Sequence, residues 1–290
     1  MTIASNGWRT RLRRWLPPVS IFISAAWVLM MLFAALGANV IAPYNYQSID
    51  LRARLVPPIW MSGAHPGHWL GNDNLGRDVL SRLIHSIRMS LLIAVLGTVI
   101  GALLGTVLGF VASHYKGWVD EIVMMMIDFQ SALPFLILAL AVLAFFENSL
   151  VLFIAIMGIY GWERYARLAR ALAMSATSQG YAIAITTLGA TPGRIYLRHI
   201  LPNVAATLIV NMTINFPETI MVETSLSFLG LGIQPPRTSL GSMVGFGREF
   251  LLTAWWIAVI PALVIFISTV AFSLFGDWVR DKLDPTLHGS

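Results

Sequence analysis

Apolar runs of roughly twenty residues recur along this sequence, and that is the length a helix needs to cross a hydrocarbon layer about 30 Å thick. A soluble core has no use for such a repeat. Over 290 residues, 57% are hydrophobic and only 11% charged, and the mean hydropathy is +0.74, outside the range of water-soluble domains. The expected fold is therefore all-α, a polytopic bundle of about six membrane helices. They are placed near Val19 to Ile41, Ser90 to Ser113, Val119 to Phe146, Leu150 to Leu172, Val204 to Phe228 and Ala254 to Leu274.

The positive charges orient the bundle. Arg9, Arg11, Arg13 and Arg14 precede the first apolar run, which is too long for a signal peptide's apolar region and has no A-x-A-like cleavage site. With that end inside, an even number of crossings also puts Arg280 and Lys282 inside, together with Lys116, Arg164, Arg167, Arg170, Arg194 and Arg198. These twelve of the nineteen Lys and Arg agree with the positive-inside rule. The expected layout is a cytoplasmic segment 1–18, a transmembrane domain 19–278 and a cytoplasmic tail 279–290, with an outer loop over 42–89 and an inner loop over 173–202. Within the outer loop, Val79, Leu80, Leu83, Ile84 and Ile87 share one face of a helix from Arg77 to Arg88, which predicts a helix lying on the membrane surface.

Several chemistries are excluded. There is no cysteine, hence no disulfide or thiolate metal site. Neither lysine, Lys116 or Lys282, follows a glycine, so the phosphate-binding G-x-x-x-x-G-K-[ST] loop is absent and ATP would have to be hydrolysed on another chain. His65, His68, His85, His114, His199 and His288 form no H-E-x-x-H pair, and no G-x-S-x-G is present, so neither a metal site nor an intramembrane protease is expected. The basic residues flank apolar runs instead of forming a stripe with interleaved aromatics, which argues against nucleic-acid binding.

The inner loop is the most informative stretch. From Gly180 to Asn203 it reads as a short helix, a glycine break at Gly189, a turn at Pro192 and Gly193, a second helix, and a proline, Pro202, opening the next span. Two short helices at the membrane face make a docking knob. This stretch resembles the cytoplasmic "EAA" loop of ABC importer permeases, with Gly189, His199, Leu201 and Pro202 matching that family's pattern. The family's triplet falls on Ile183-Ala184-Ile185, replacing its glutamate and second alanine, so docking would rest on Tyr181, Ala184 and Leu188, with Gly189 and Ala190 at the break.

Three further stretches resemble the peptide and nickel branch of that family, specifically its C-type permease subunit. They are Trp69 to Arg82 (WLGNDNLGRDVLSR), Glu223 to Pro236 (ETSLSFLGLGIQPP) and Gly276 to Pro285 (GDWVRDKLDP). The resemblance implies a type I importer permease in a bacterial inner membrane, both termini cytoplasmic. Implied partners are a homologous permease chain, two ATP-binding subunits and an extracytoplasmic binding protein. No cofactor is expected on this chain, ATP and Mg belonging to the ATPase partners.

Other residues admit two readings each. Asp128 in the third run either lines a pathway or hydrogen-bonds a neighbouring helix, and Glu218, beside Pro217, and Glu223 raise the same question in the fifth. Trp162, Glu163, Arg164 and Arg167 permit an i, i+4 pair between Glu163 and Arg167, but a membrane-interface anchor is the favoured role for this group. Asp73, Arg77 and Asp78 either meet an outer partner or cap local turns. Peptide is the expected cargo; a metal (nickel) permease of the same family and an ATP-independent carrier are the alternatives.

Overall fold

The computed structural model describes residues 18–146 and 149–283; the arginines at positions 9–14 and the tail from position 284 onward lie outside them. The described residues are helical apart from loops and one isolated bridge, Asn72 with Asp78. We label the principal helices α1 (Val19–Leu36), α2 (Val79–Tyr115), α3 (Gly117–Ala132), α4 (Phe135–Phe145), α5 (Leu150–Ile159), α6 (Trp162–Thr177), α7 (Gly180–Thr187), α8 (Leu201–Phe228), α9 (Leu240–Gly247) and α10 (Trp256–Leu283). Four stretches are long and apolar enough to cross a membrane: α1, α2, α10, and α8 taken with the helical turns that precede it from Pro192. The bent pair α3 and α4 is also long and apolar enough when its two halves are taken together, as a broken span or a re-entrant loop.

The breaks have local causes. Pro134 has no N–H to give and disfavours helix at Leu133, and there α3 and α4 meet at 88°. The expected fourth span is interrupted as well, because the chain turns through Tyr160 and Gly161, where φ is +79°, between α5 and α6.

Elsewhere the helices run further than the sequence suggests. The predicted surface helix at Arg77 to Arg88 does not exist as a separate element: α2 starts at the Asp78 cap and runs unbroken for 37 residues. Its apolar stripe explains why. Val79, Leu83, Ile87, Leu91 and Ala94 continue one face without a break, and that face packs on Leu240 and Met243 of α9 and Trp256 and Ile257 of α10 instead of on lipid. At the other end of the chain, α10 runs past the expected boundary at 278 and carries Arg280 and Lys282 as its last turn.

The centre of the bundle is α2 against α5 and α6. Gly97, Gly101, Gly105 and Gly109 recur every fourth residue and let the backbones meet. A Cβ on Gly97 would stand 3.0 Å from the Met157 Cβ, on Gly105 2.3 Å from the Trp162 carbonyl oxygen, and on Gly109 2.4 Å from that of Ala166. Around this pair, α1 leans on α2 and α10, where the Trp27 indole donates to the Ser268 hydroxyl at 3.0 Å. The short α9, closed by a Ser239/Ser242 capping box, sits between α2, α8 and α10.

Gly105→Val or Gly109→Val is expected to destabilise the purified protein by about 1–3 kcal/mol or more, as overpacking does, read as a fall in melting temperature and in monodisperse yield. Gly180→Ala, where an added methyl meets nothing within 4 Å, leaves both unchanged.

Candidate functional site

The inner loop has the first short helix and the glycine turn where the sequence predicts them. α6 ends at Thr177, α7 follows after Ser178 and Gln179, and α7 closes in a Schellman turn at Gly189, whose φ is +79°. In that turn the Ala190 N–H donates to the Ile185 carbonyl at 3.3 Å and the Gly189 N–H to that of Thr186 at 3.0 Å. Ala182 is buried, and Ile185 and Ala190 lean on the cluster of Ala169, Ala173, Ala176, Ile195 and Ile200 that joins α6 to the start of α8. The opposite face is open: Ala184 and Ile183 are exposed and Leu188 is 85% exposed. Tyr181 is half-buried with its hydroxyl turned inward, which leaves Ala184 and Leu188 as the outward members of the predicted trio.

The second half of the loop is continuous with α8, not a separate short helix. Pro192–Arg194 leads through a π-helical turn, Ile195–Ile200, directly into Leu201–Phe228. Pro202 accounts for the wide turn, since it cannot donate to the carbonyl four residues back and its ring crowds that turn. Asn203 covers the next one, its amide donating to the His199 carbonyl at 2.8 Å. His199 is half-buried, Leu201 leans on the cluster, and Pro202 is exposed.

Ion pairs tie α6 to its neighbours. Arg170 makes a bidentate pair with Asp120 of α3 at 2.5 and 2.6 Å. Arg167 reaches Asp128, also on α3, at 3.2 Å. Arg164 holds Glu218 of α8 with both terminal nitrogens, and Tyr160 donates its hydroxyl to the same carboxylate at 2.6 Å. The i, i+4 pair that the spacing of Glu163 and Arg167 permits does not form; Glu163 stands 3.8 Å from the Arg164 Nε, and Arg167 turns to Asp128. Trp162 is buried against α2 and α3, not anchored at an interface. Glu223 sits apart from these, fully buried, with Ser227 donating to it at 2.8 Å, so it opens on no passage in this conformation.

The outer candidates also turn inward. Asp73 and Asp78 are buried and do the capping. Asp73 accepts from the Leu75 and Arg77 N–H groups at 2.8 and 2.9 Å and pairs with the side chains of Arg77 and Arg82. Asp78 accepts the Ser81 N–H at 2.8 Å, starting α2, and meets His68 Nδ1 at 2.9 Å. Sequence reasoning passed over the buried Arg82. It stands on the α2 face that also carries Ser86, whose hydroxyl lies 2.9 Å from that of Thr238, just ahead of α9.

Residues 101–289 match the family described as "Binding-protein-dependent transport system inner membrane component". Over its length the chain is similar to the di/tripeptide transport system permease protein DppC of Pseudomonas aeruginosa, with 38% identity over 260 residues, 90% of this chain and 86% of the relative. It is 39% identical over 265 residues to the dipeptide transport system permease protein DppC of Escherichia coli K12, covering 91% and 88%. It is 34% identical over 280 residues to the glutathione transport system permease protein GsiD of Pectobacterium atrosepticum, covering 97% and 91%.

Replacing Asp73 by alanine strands the Arg82 guanidinium in the interior, and the cost expected for a half-removed buried pair is roughly 3–5 kcal/mol. The double replacement Asp73→Ala/Arg82→Met recovers most of that loss in thermal melting of the detergent-solubilised protein.

Proposed function

The chain belongs to the binding-protein-dependent transport system inner membrane components, the permease subunits of ABC importers, and on that premise we propose that it forms half of a peptide pathway and receives force through its inner loop. The observation that carries the coupling reading is the exposed apolar face of α7, with Leu188 at its tip. An apolar side chain standing free at the end of a rigid turn fits a groove on another protein, and here the groove is that of a cytoplasmic ATPase subunit. Because α7 is packed on α6 and on the start of α8, a push on the knob reaches the bundle through two helices at once.

The peptide cargo follows from the relatives, whose names specify dipeptides, tripeptides and glutathione. The assembly we propose has a second, homologous permease chain, two ATPase subunits holding ATP and Mg, and a substrate-binding protein on the outer side. Both termini lie in the cytoplasm. Asp128 and Glu218 line the passage, and Glu223 is a packing residue in this arrangement. On the outer side the binding protein reads the shape of the loop before α2, which Asp73 and Asp78 hold from within and Arg77 borders.

In a reconstituted complex, Leu188→Glu is expected to lower the ATPase stimulation given by loaded binding protein by about tenfold or more, the size of a lost interface anchor. Deleting Thr186 to Arg194 abolishes it, while membrane insertion, followed by protease accessibility of the termini, is unchanged. Undiminished stimulation in both variants overturns the coupling assignment.

A further inference from the structure

Two ion pairs of α6, Arg164 with Glu218 of α8 and Arg167 with Asp128 of α3, lie part-way along the bundle, and they are open. In the Arg164–Glu218 pair the side chains are 41% and 45% exposed, and in the Arg167–Asp128 pair 50% and 70%. Glu218 lies within the membrane-crossing helix, ~25 Å along it from Leu201 and ~15 Å from Phe228 at 1.5 Å per residue. Charges at such depth face protein or water, since contact with hydrocarbon costs several kcal/mol.

The backbone beside them is interrupted in the same place. α5 gives way to α6 through Tyr160 and Gly161, and α3 gives way to α4 about one turn after Asp128. The two breaks touch, the Phe135 and Tyr160 rings lying 4.8 Å apart. Non-helical backbone inside a membrane is tolerated where protein buries it or water reaches it, and ends of broken helices are a recurrent setting for polar ligands.

The sign pattern narrows the ligand. Both guanidinium groups come from α6 and each meets a carboxylate, Glu218 on α8 or Asp128 on α3, with Glu163 3.8 Å from the Arg164 Nε, while Asn215 accepts from Arg164 at 3.2 Å and the Tyr160 hydroxyl bonds Glu218. A simple anion or cation would be repelled by half of the strip. A divalent metal ion fits it poorly, because an arginine already neutralises each carboxylate, and the described residues hold no group of three His, Cys, Asp or Glu suited to a metal. A zwitterion fits both signs.

We propose that Arg164 and Glu218, with Arg167 and Asp128 alongside, form a subsite within the membrane for the two charged ends of a short unblocked peptide in transit. The peptide ammonium takes the place of Arg164 on the Glu218 carboxylate, and the peptide carboxylate takes the place of Glu218 on the Arg164 guanidinium. One ion pair is exchanged for two, no charge is left uncompensated in a poorly solvating site, and re-forming the internal pair releases the ligand. This inference rests on the peptide-permease reading above.

The test uses the assembled permease–ATPase complex in nanodiscs without binding protein, so that recognition by the binding protein does not enter. Binding of a free dipeptide and of its N-acetylated and C-amidated forms is measured for the wild type, Glu218→Gln and Arg164→Gln. For the free dipeptide both variants weaken binding by about tenfold, the loss of one charged contact. For the N-acetylated form Glu218→Gln changes nothing further, and for the C-amidated form Arg164→Gln changes nothing further. Equal losses for free and blocked peptides, or no dipeptide binding by the wild type at millimolar concentration, overturn the subsite. Uptake is measured separately in proteoliposomes with binding protein present. If the wild-type transporter imports no peptide there, the peptide-permease reading itself fails.

Discussion

Backbone-to-backbone contact between α2 and the α5–α6 pair is the constraint on which the rest of the arrangement depends. In a bilayer, helices gain little from hiding apolar side chains from one another, because lipid is equally apolar. Association has to come from close contact, and the row Gly97, Gly101, Gly105, Gly109 supplies it by removing everything between the helix axes. Once α6 is held there, its arginines can meet α3 on one side and α8 on the other. The α2 stripe that begins at Val79 then brings α9 and α10 against the opposite face.

This arrangement places the knob and the charge strip on the same pair of helices. α6 enters the inner loop and the Pro192–Arg194 turn leads out of it into α8, and the two helices are joined again by Arg164 and Glu218. Two attachment points on two helices make a frame. On the coupling proposed above, α7 acts on α6 and α8 together, and the half-exposed Arg164–Glu218 pair is the polar contact that joins those two helices. Glu223, further along α8, is fully buried, with Ser227 donating to it.

Much of this was legible in the residues themselves. Apolar run lengths marked the crossings, and Gly189 with its neighbours marked the knob, because a left-handed helix end needs glycine and a proline cannot continue a hydrogen-bonded turn. What escaped was decided at long range. A surface helix at Arg77 to Arg88 and the first turns of a 37-residue span look alike locally, and only α9 and α10, more than 150 residues on, distinguish them. Likewise Glu163 was spaced correctly for Arg167, yet Asp128 on another helix was nearer the guanidinium. For Asp73 the capping reading holds, and what local spacing did not give is its buried partner Arg82, on the helix that follows.

The three arginines of α6 also bear on how the chain enters its membrane. α6 is not among the helices apolar enough to cross unaided, and an arginine near the centre of a span costs the insertion machinery roughly 2.5–3.5 kcal/mol. Asp120 and Asp128 precede α6 in the chain, so the counter-charges for Arg170 and Arg167 have already emerged when α6 reaches the bilayer. Glu218 has not. Glu218 follows Arg164 by 54 residues, so the pair that joins α6 to α8 closes only after α8 has been made, and until then Glu163 is the carboxylate next to Arg164 in the chain.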